Sequence, residues 1–245
     1  MCLILISWQN DPKQPLTVAA NRDEFFQRPT LATEFWPEHP QILAGKDLEF
    51  GGSWLGISRN GHFAAVTNLR EEAATGERSR GDLVKNFLLS SQTSTEFVAQ
   101  LDAEKQQYRP FNFIACDGET LSYINNVESG WRVLPAGIHA IGNILLSAEN
   151  EKTKKGRNDM RTTLAAGAEY KTLLTMLQDK TPTDNLDEEL YRALSCRFVS
   201  YDSYGTRSSS IVTLSERGKW DFWEQQYTDG TAQEGTIKHF SFMTD

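Results

Sequence analysis

The sequence has few cysteines and no long apolar run. Three cysteines occur in 245 residues, at positions 2, 116 and 196, and none belongs to a CxxC pair, so neither a disulfide framework nor a thiolate zinc site is expected. No segment reaches the roughly 18 apolar residues that a membrane-spanning helix needs. The first residues also lack the basic start and apolar stretch of a secretory signal. We therefore predict a cytoplasmic protein with reduced thiols and no integral membrane segment.

Positive charge is scarce as well. The formal net charge of -8 and the pI near 5.1 predict a surface that repels the phosphate backbone, so no nucleic-acid partner is expected. Metal-ligand spacing such as HxxxH does not occur among the four histidines, so no metal site is predicted; these are His39, His62, His139 and His239. Each of them, like Cys2, stays open as an axial haem ligand, although a lone histidine is more often structural.

Apolar patterning predicts one α+β domain. No linker rich in Pro, Gly or Ser and no repeat interrupts the chain, so we predict a single domain over residues 1–245. Strands are predicted at 3–8, 16–20, 54–58, 63–67, 111–116, 121–124, 131–134, 197–199, 209–214 and 219–226. Helices are predicted around 83–88, 97–101, 151–178 and 186–194. Residues 35–52 read as a long loop and a candidate site wall. Strand runs separated by helix runs favour a four-layer αββα sandwich with two antiparallel sheets between helical layers.

Cys2 is the first candidate catalytic residue. If Met1 is removed, the thiol of Cys2 lies beside a free α-amine that titrates near 8 and can act as its general base. Nucleophile and base then come from one residue, as in an N-terminal cysteine hydrolase acting on C–N bonds. The alternative is a small buried residue at the start of a strand.

Four polar residues, Asn21 to Glu24, follow the second apolar run. Arg22 is a candidate for holding the thiolate or a ligand carboxylate, and Asp23 for orienting the α-amine. An exposed turn with a weak Arg/Asp pair is the alternative. Asn68 closes a predicted strand, and Asn143 lies in the small-residue segment HAIGN before another apolar run. An amide at a strand end can stabilise an oxyanion, although each Asn is also a common turn former.

Two further segments carry positive charge. Arg207, in YGTRSSSIV, lies either at a pocket with neighbouring hydroxyls or in a polar turn. A dense basic cluster is a candidate receiver of ligand phosphates or carboxylates, with a solvated helix face as the alternative; it comprises Lys152, Lys154, Lys155, Arg157 and Arg161.

Several segments together resemble one family. They are MCLI, LTVAANRDEFFQRP, GGSWLGISRNGHFAAVTNLR, RGDLVKNFL, FNFIACDG and YGTRSSSIVTL, and in this order they look like the NRDE proteins, also called the transport and Golgi organisation family. The resemblance covers essentially the whole chain. It implies a fold similar to the N-terminal nucleophile hydrolases and an association with haem trafficking and with lipid or acyl-coenzyme A handling.

A more distant similarity is to penicillin V acylases and bile salt hydrolases, which also begin Met-Cys. It implies Cys2 as nucleophile, Arg22 and Asp23 as its neighbours, and Asn68 and Asn143 as oxyanion donors. Here Arg22 and Asp23 are adjacent, so on one strand they would point to opposite faces unless the strand ends or bulges. The stretch after Asn143 is LLSAENEKTKK, where the family usually carries a Pro-Trp and a lysine.

Three functions remain open. The first is a ligand-handling protein that binds a small amphipathic or anionic ligand, haem or acyl-coenzyme A, and needs no cofactor. The second is a Cys2-dependent amidohydrolase. An interaction protein with a relict pocket is a third. The predicted ligand-binding residues are Asn21, Arg22, Asp23, Glu24, Trp54 and Arg207.

Overall fold

A computed structural model describes residues 2–69, 76–167, 169–184, 187–228 and 231–244, with the side chains of 231–236 left undescribed. Contacts divide the chain into two compact units. The first unit comprises Met1–Arg28 and Ala136–Ser241, and the second comprises Pro29–Pro135 and Phe242–Asp245. The expectation of one domain over 1–245 stays a prediction.

Fourteen strands and five helices occur in the described part of the chain. The strands are β1 Leu3–Trp8, β2 Leu16–Phe25, β3 Thr30–Trp36, β4 His39–Asp47, β5 Leu55–Ser58, β6 Phe63–Asn68, β7 Phe111–Cys116, β8 Leu121–Asn125, β9 Trp131–Val133, β10 Gly137–Ile141, β11 Ser200–Tyr201, β12 Tyr204–Leu214, β13 Lys219–Thr228 and β14 Thr231–Met243. The helices are α1 Gly81–Leu89, α2 Ser94–Glu104, α3 Glu151–Ala165, α4 Tyr170–Leu177 and α5 Glu189–Ser195. None of these helices is long and apolar enough to cross a membrane.

The first unit is a seven-stranded sheet with helices on one face. Its strand order is β10-β1-β2-β12-β13-β14, and β11 pairs with β12. Leu3 and Leu5 of β1 pack with Met160 of α3 and Leu177 of α4 in one apolar cluster. Because side chains alternate along a strand, Ile4 and Ile6 face away from these helices.

The second unit is a seven-stranded sheet in the order β3-β4-β5-β6-β7-β8-β9. Val84 and Phe87 of α1 and Val98 of α2 pack against sheet residues such as Val66 and Phe113. A capping box starts α2, since the Thr93 hydroxyl accepts from the Glu96 amide and the Glu96 carboxylate accepts from the Thr93 amide. The two antiparallel sheets and their helices confirm the α+β class.

Some predicted elements were wrong. Residues 35–47 are not a loop, because β3 and β4 form a hairpin there in which the Trp36 indole donates to the Ala44 carbonyl at 3.0 Å, whereas residues 48–52 do form a turn. Residues 197–199 form no strand. The helical region predicted at 151–178 consists of two helices, with Gly167 at φ +70° between them, a conformation that glycine adopts readily. Ala168 in this segment, and Leu186 at the start of the last predicted helix, lie outside the described residues.

Candidate functional site

Cys2 lies directly before β1, between the ends of two neighbouring strands. In the β1–β2 ladder Leu3 pairs with Asn21, and in the β1–β10 ladder Ile4 pairs with Ile141. Extending these registers by one and two residues sets Cys2 level with Arg22 on one side and with Asn143 on the other. The half-buried Cys2 donates its thiol to the Asp23 backbone carbonyl at 3.7 Å. The registers therefore bring Cys2, Arg22 and Asn143 to one end of the sheet, and their shared role in a site stays a prediction.

Arg22 and Asp23 are both buried, but their side chains lie on opposite faces of the sheet. Arg22 pairs with Ser208 of β12, and Asp23 pairs with Thr206. The register shifts between Thr206 and Ser208, so Arg207 is an extra residue in a β-bulge. The side chain of Arg22 shares a face with Cys2, whereas that of Asp23 points to the helices. β2 neither ends nor bulges at Arg22, since the bulge lies on β12, so Arg22 and Asp23 stay on opposite faces.

The Asp23 carboxylate belongs to a buried ion pair on the helix side. Its Oδ1 accepts from the Thr206 hydroxyl at 2.7 Å. Its Oδ2 lies 3.5 Å from the Lys152 Nζ, and that ammonium also donates to the Leu194 carbonyl at 3.3 Å. Asp23 and Lys152 are 3% and 4% exposed. This pair joins β2 to the first turn of α3, while the Asp23 backbone carbonyl accepts from Cys2.

Asn21 fastens the sheet to the chain around α4. Its Nδ2 donates to the carbonyls of Leu177 and Arg197, at 2.9 and 2.8 Å. Its Oδ1 accepts from the Ser209 hydroxyl at 2.6 Å, and Ser209 in turn accepts from the Tyr227 hydroxyl at 3.0 Å. Both polar atoms of the amide are engaged inside the protein, which is the pattern of a structural lock rather than of a ligand contact.

Glu24 and Arg207 lie where β2 ends. The Glu24 carboxylate accepts from the Phe25 amide at 2.9 Å and lies 4.0 Å from the Arg28 guanidinium. The Arg207 guanidinium donates to the carbonyls of Phe25 and Arg28, at 2.8 and 3.1 Å. These contacts fix the backbone directly after the end of β2. A ligand-binding role for Glu24 and Arg207 stays a prediction.

Two predicted site residues belong to the second unit. Asn68 is exposed at the end of β6 and pairs with Phe111. Trp54 precedes β5, and its ring covers Gly45 so closely that a Cβ there would lie 2.3 Å from it. Their part in a common site with Cys2 stays a prediction.

The basic cluster on α3 does not act as one patch. Lys152 is buried, whereas Lys155 pairs with Asp179 at 3.0 Å and the exposed Lys154 pairs with Glu151 at 3.4 Å. Arg157 pairs with Glu149, and Arg161 donates to Asn158. Sequence reasoning missed Lys152 as the partner of Asp23. The signal was present, because Lys152, Gly156 and Met160 recur every four residues and form the buried stripe of α3.

Burial is the main influence on the Cys2 thiol and raises its pKa. The charge of the N-terminal amine lowers this pKa in part, as do the hydrogen bond to the Asp23 carbonyl and the charge of Arg22, while the Asp23 carboxylate raises it. With Met1 in place, the raised pKa disfavours the thiolate form of Cys2. Across the described ranges, no three His, Cys, Asp or Glu side chains converge as metal ligands.

Solved structures place the architecture among the N-terminal nucleophile hydrolases. The chain is similar to the Caenorhabditis elegans N-acylethanolamine-hydrolyzing acid amidase ortholog, with a TM-score of 0.54, 13% identity, and 88% of this chain and 93% of that chain covered. It is also similar to the C2A mutant of conjugated bile acid hydrolase from Clostridium perfringens, with a TM-score of 0.54, 8% identity, and 99% and 92% coverage. At such identities the likeness shows the fold alone. The predicted fold class is confirmed.

The family follows from the sequence comparison. The family model described as Transport and Golgi organisation 2 matches residues 1–229. The transport and Golgi organization protein 2 homolog of Bos taurus is 31% identical over 278 residues, with 100% of both chains covered. The chain therefore belongs to the transport and Golgi organisation 2 family, which confirms the NRDE resemblance.

Proposed function

We propose that the protein binds an amphipathic anion, haem or acyl-coenzyme A, at the Cys2 end of the first unit's sheet. The observation that carries this proposal is a buried cation, Arg22, set level with the amide of Asn143 and with the thiol of Cys2. Apolar residues Ile4 and Ala20 lie next along the same face. A guanidinium and an amide suit a carboxylate or phosphate, and adjoining apolar side chains suit a porphyrin or acyl chain.

The placement of Asp23 favours binding over hydrolysis. The Asp23 carboxylate is already engaged by Lys152 and Thr206 on the helix face, and it does not lie on the face of the Cys2 thiol. The family's implied association with haem trafficking and acyl-coenzyme A handling supplies the two ligand classes, and the proposal requires no cofactor.

Binding is tested by titrating the full chain with haemin, followed by Soret absorbance, and with palmitoyl-coenzyme A, followed by calorimetry. Arg22→Gln removes the cation and is expected to weaken binding about 10- to 100-fold, the worth of a charge-assisted hydrogen bond. Arg161→Gln removes the same charge from an exposed site on α3 and should leave affinity unchanged. Cys2→Ala should still bind. Wild-type protein that binds neither ligand would refute the proposal.

Amide hydrolysis is a second candidate, favoured by the position of Cys2 between Arg22 and Asn143. After loss of Met1, the Cys2 thiol would pass its proton to the α-amine and attack the amide carbon. The substrate amine would then leave with that proton, and water would hydrolyse the thioester. Intact-mass measurement of the native protein tests for loss of Met1, and an N-acyl amide panel tests for turnover. Turnover abolished by Cys2→Ser would support hydrolysis; retained Met1 without turnover would exclude the self-activated nucleophile.

A further inference from the structure

Ser208 carries a buried hydroxyl that makes no hydrogen bond within the described part of the chain. The residue is 2% exposed, and its Oγ has no hydrogen-bond partner among the residues that the structure describes. Leaving a hydroxyl unpaired away from water costs stability. An unpaired buried hydroxyl calls for an explanation, and a partner that binds from outside the chain supplies one.

The β-bulge at Arg207 decides where this hydroxyl points. Residues two apart on a regular strand face the same way, so without the bulge Ser208 would join Thr206 on the helix face. The extra residue turns Ser208 to the other face, where it pairs with Arg22 of β2 and with Gln226 of β13. The next residue, Ser209, points back to the helices and bonds Asn21.

We infer that Ser208 is a ligand-contacting residue whose hydroxyl donates to the oxyanion recognised by Arg22. The inference rests on the proposed function and deepens it, because it assigns a second donor to the anionic group of the ligand. A guanidinium and a hydroxyl side by side on one sheet face match two oxygens of a carboxylate or a phosphate. Haem offers propionate carboxylates, and acyl-coenzyme A offers phosphates.

The test is Ser208→Ala in the full chain, with affinity and stability measured separately. We expect affinity for the ligand to fall about tenfold, the worth of one hydrogen bond to a charged group. The urea midpoint of the ligand-free protein is expected to stay constant or rise, because the removed hydroxyl had no partner. Titrations with haemin, haem dimethyl ester and palmitoyl-coenzyme A separate the sources: a carboxylate contact is lost in the ester, and a phosphate contact appears only with the coenzyme A ester.

Ser209→Ala is the matched control, since it removes the same atom one residue away. It loses the bonds to Asn21 and Tyr227, so we expect a lower urea midpoint and unchanged affinity of the folded protein. Equal affinity of wild type and Ser208→Ala would overturn the role of Ser208 and leave the proposed function standing. A wild type that binds none of the three probes would overturn both. A Ser208→Ala midpoint as low as that of Ser209→Ala would show an internal partner and also overturn the inference.

Discussion

The Asp23–Lys152 pair should be strongly coupled in stability. The charged atoms lie 3.5 Å apart, and the side chains are 0% and 5% exposed. At this distance an effective dielectric constant of about 20 gives an attraction of about 5 kcal/mol. Desolvation of both ions offsets much of this gain, so the pair as a whole contributes little relative to apolar residues. Removing one partner leaves the other charge buried without it, which costs roughly 3–5 kcal/mol.

Lys152→Met and Asp23→Asn are therefore each expected to lower the free energy of unfolding by about 3–5 kcal/mol, a large share of a typical 5–15 kcal/mol. The double variant should be more stable than the sum of the single losses predicts, because no ion then remains buried. Urea unfolding followed by circular dichroism measures this, provided the slope stays constant. Lys154→Met, at the exposed neighbour, should change stability by less than about 0.5 kcal/mol. Single variants within about 1 kcal/mol of wild type, or strict additivity, would refute the reasoning.

Three further predictions follow from the same unit and its cysteines. Because burial raises the pKa of the Cys2 thiol, alkylation of Cys2 by iodoacetamide at pH 7 should be slower in the native than in the urea-unfolded protein, and slower again in Arg22→Gln. Peptide mapping separates Cys2 from Cys116, whose pKa burial raises to about 12. Faster labelling of Cys2 in the native protein would contradict this prediction. Burial alone would raise the pKa of Asp179, but hydrogen bonds from Thr181 and Lys155 and the charge of Arg197 hold this pKa well below its usual range. The stability that the ionised Asp179 contributes is thus complete above the unfolded pKa of about 4 and is lost as the pH falls below it. In an acid titration, the free energy of unfolding of Asp179→Asn should therefore fall less steeply than that of wild type. Asn21→Ala should cost about 2–3 kcal/mol, because it removes three internal hydrogen bonds; calorimetry that shows less than about 1 kcal/mol would contradict the lock.

Local signals were sufficient for much of the fold. The apolar runs at 3–8 and 16–20 form the β1–β2 hairpin, and Asn60-Gly61 forms the turn before β6 with Gly61 at φ +82°. The periodic segments around 83–88 and 97–101 are helices α1 and α2. In each case a turn residue or a period of two or 3.6 was strong within a short window.

Features that depend on contacts between distant segments could not be predicted from short windows of sequence. Pro37 and Pro40 argued against strands where the β3–β4 hairpin lies. Pro37 lies in the turn of this hairpin and Pro40 among the first residues of β4, where a missing amide is tolerated. For the candidate site, the registers bring Cys2, Arg22 and Asn143 level, while their role stays a prediction. The bulge at Arg207 depends on the pairing of β12 with β2, which no single strand reveals.

The adjacent placement of Arg22 and Asp23 limits how the chain can vary in length. A one-residue deletion within β2 would exchange the two faces, so that a carboxylate would lie beside the thiol and a guanidinium among the helices. The exposed turn at 9–15 can absorb insertions, because its side chains are mostly solvated. Length changes near this site are thus tolerable before Leu16 and damaging between Leu16 and Glu24, whatever residue types they introduce.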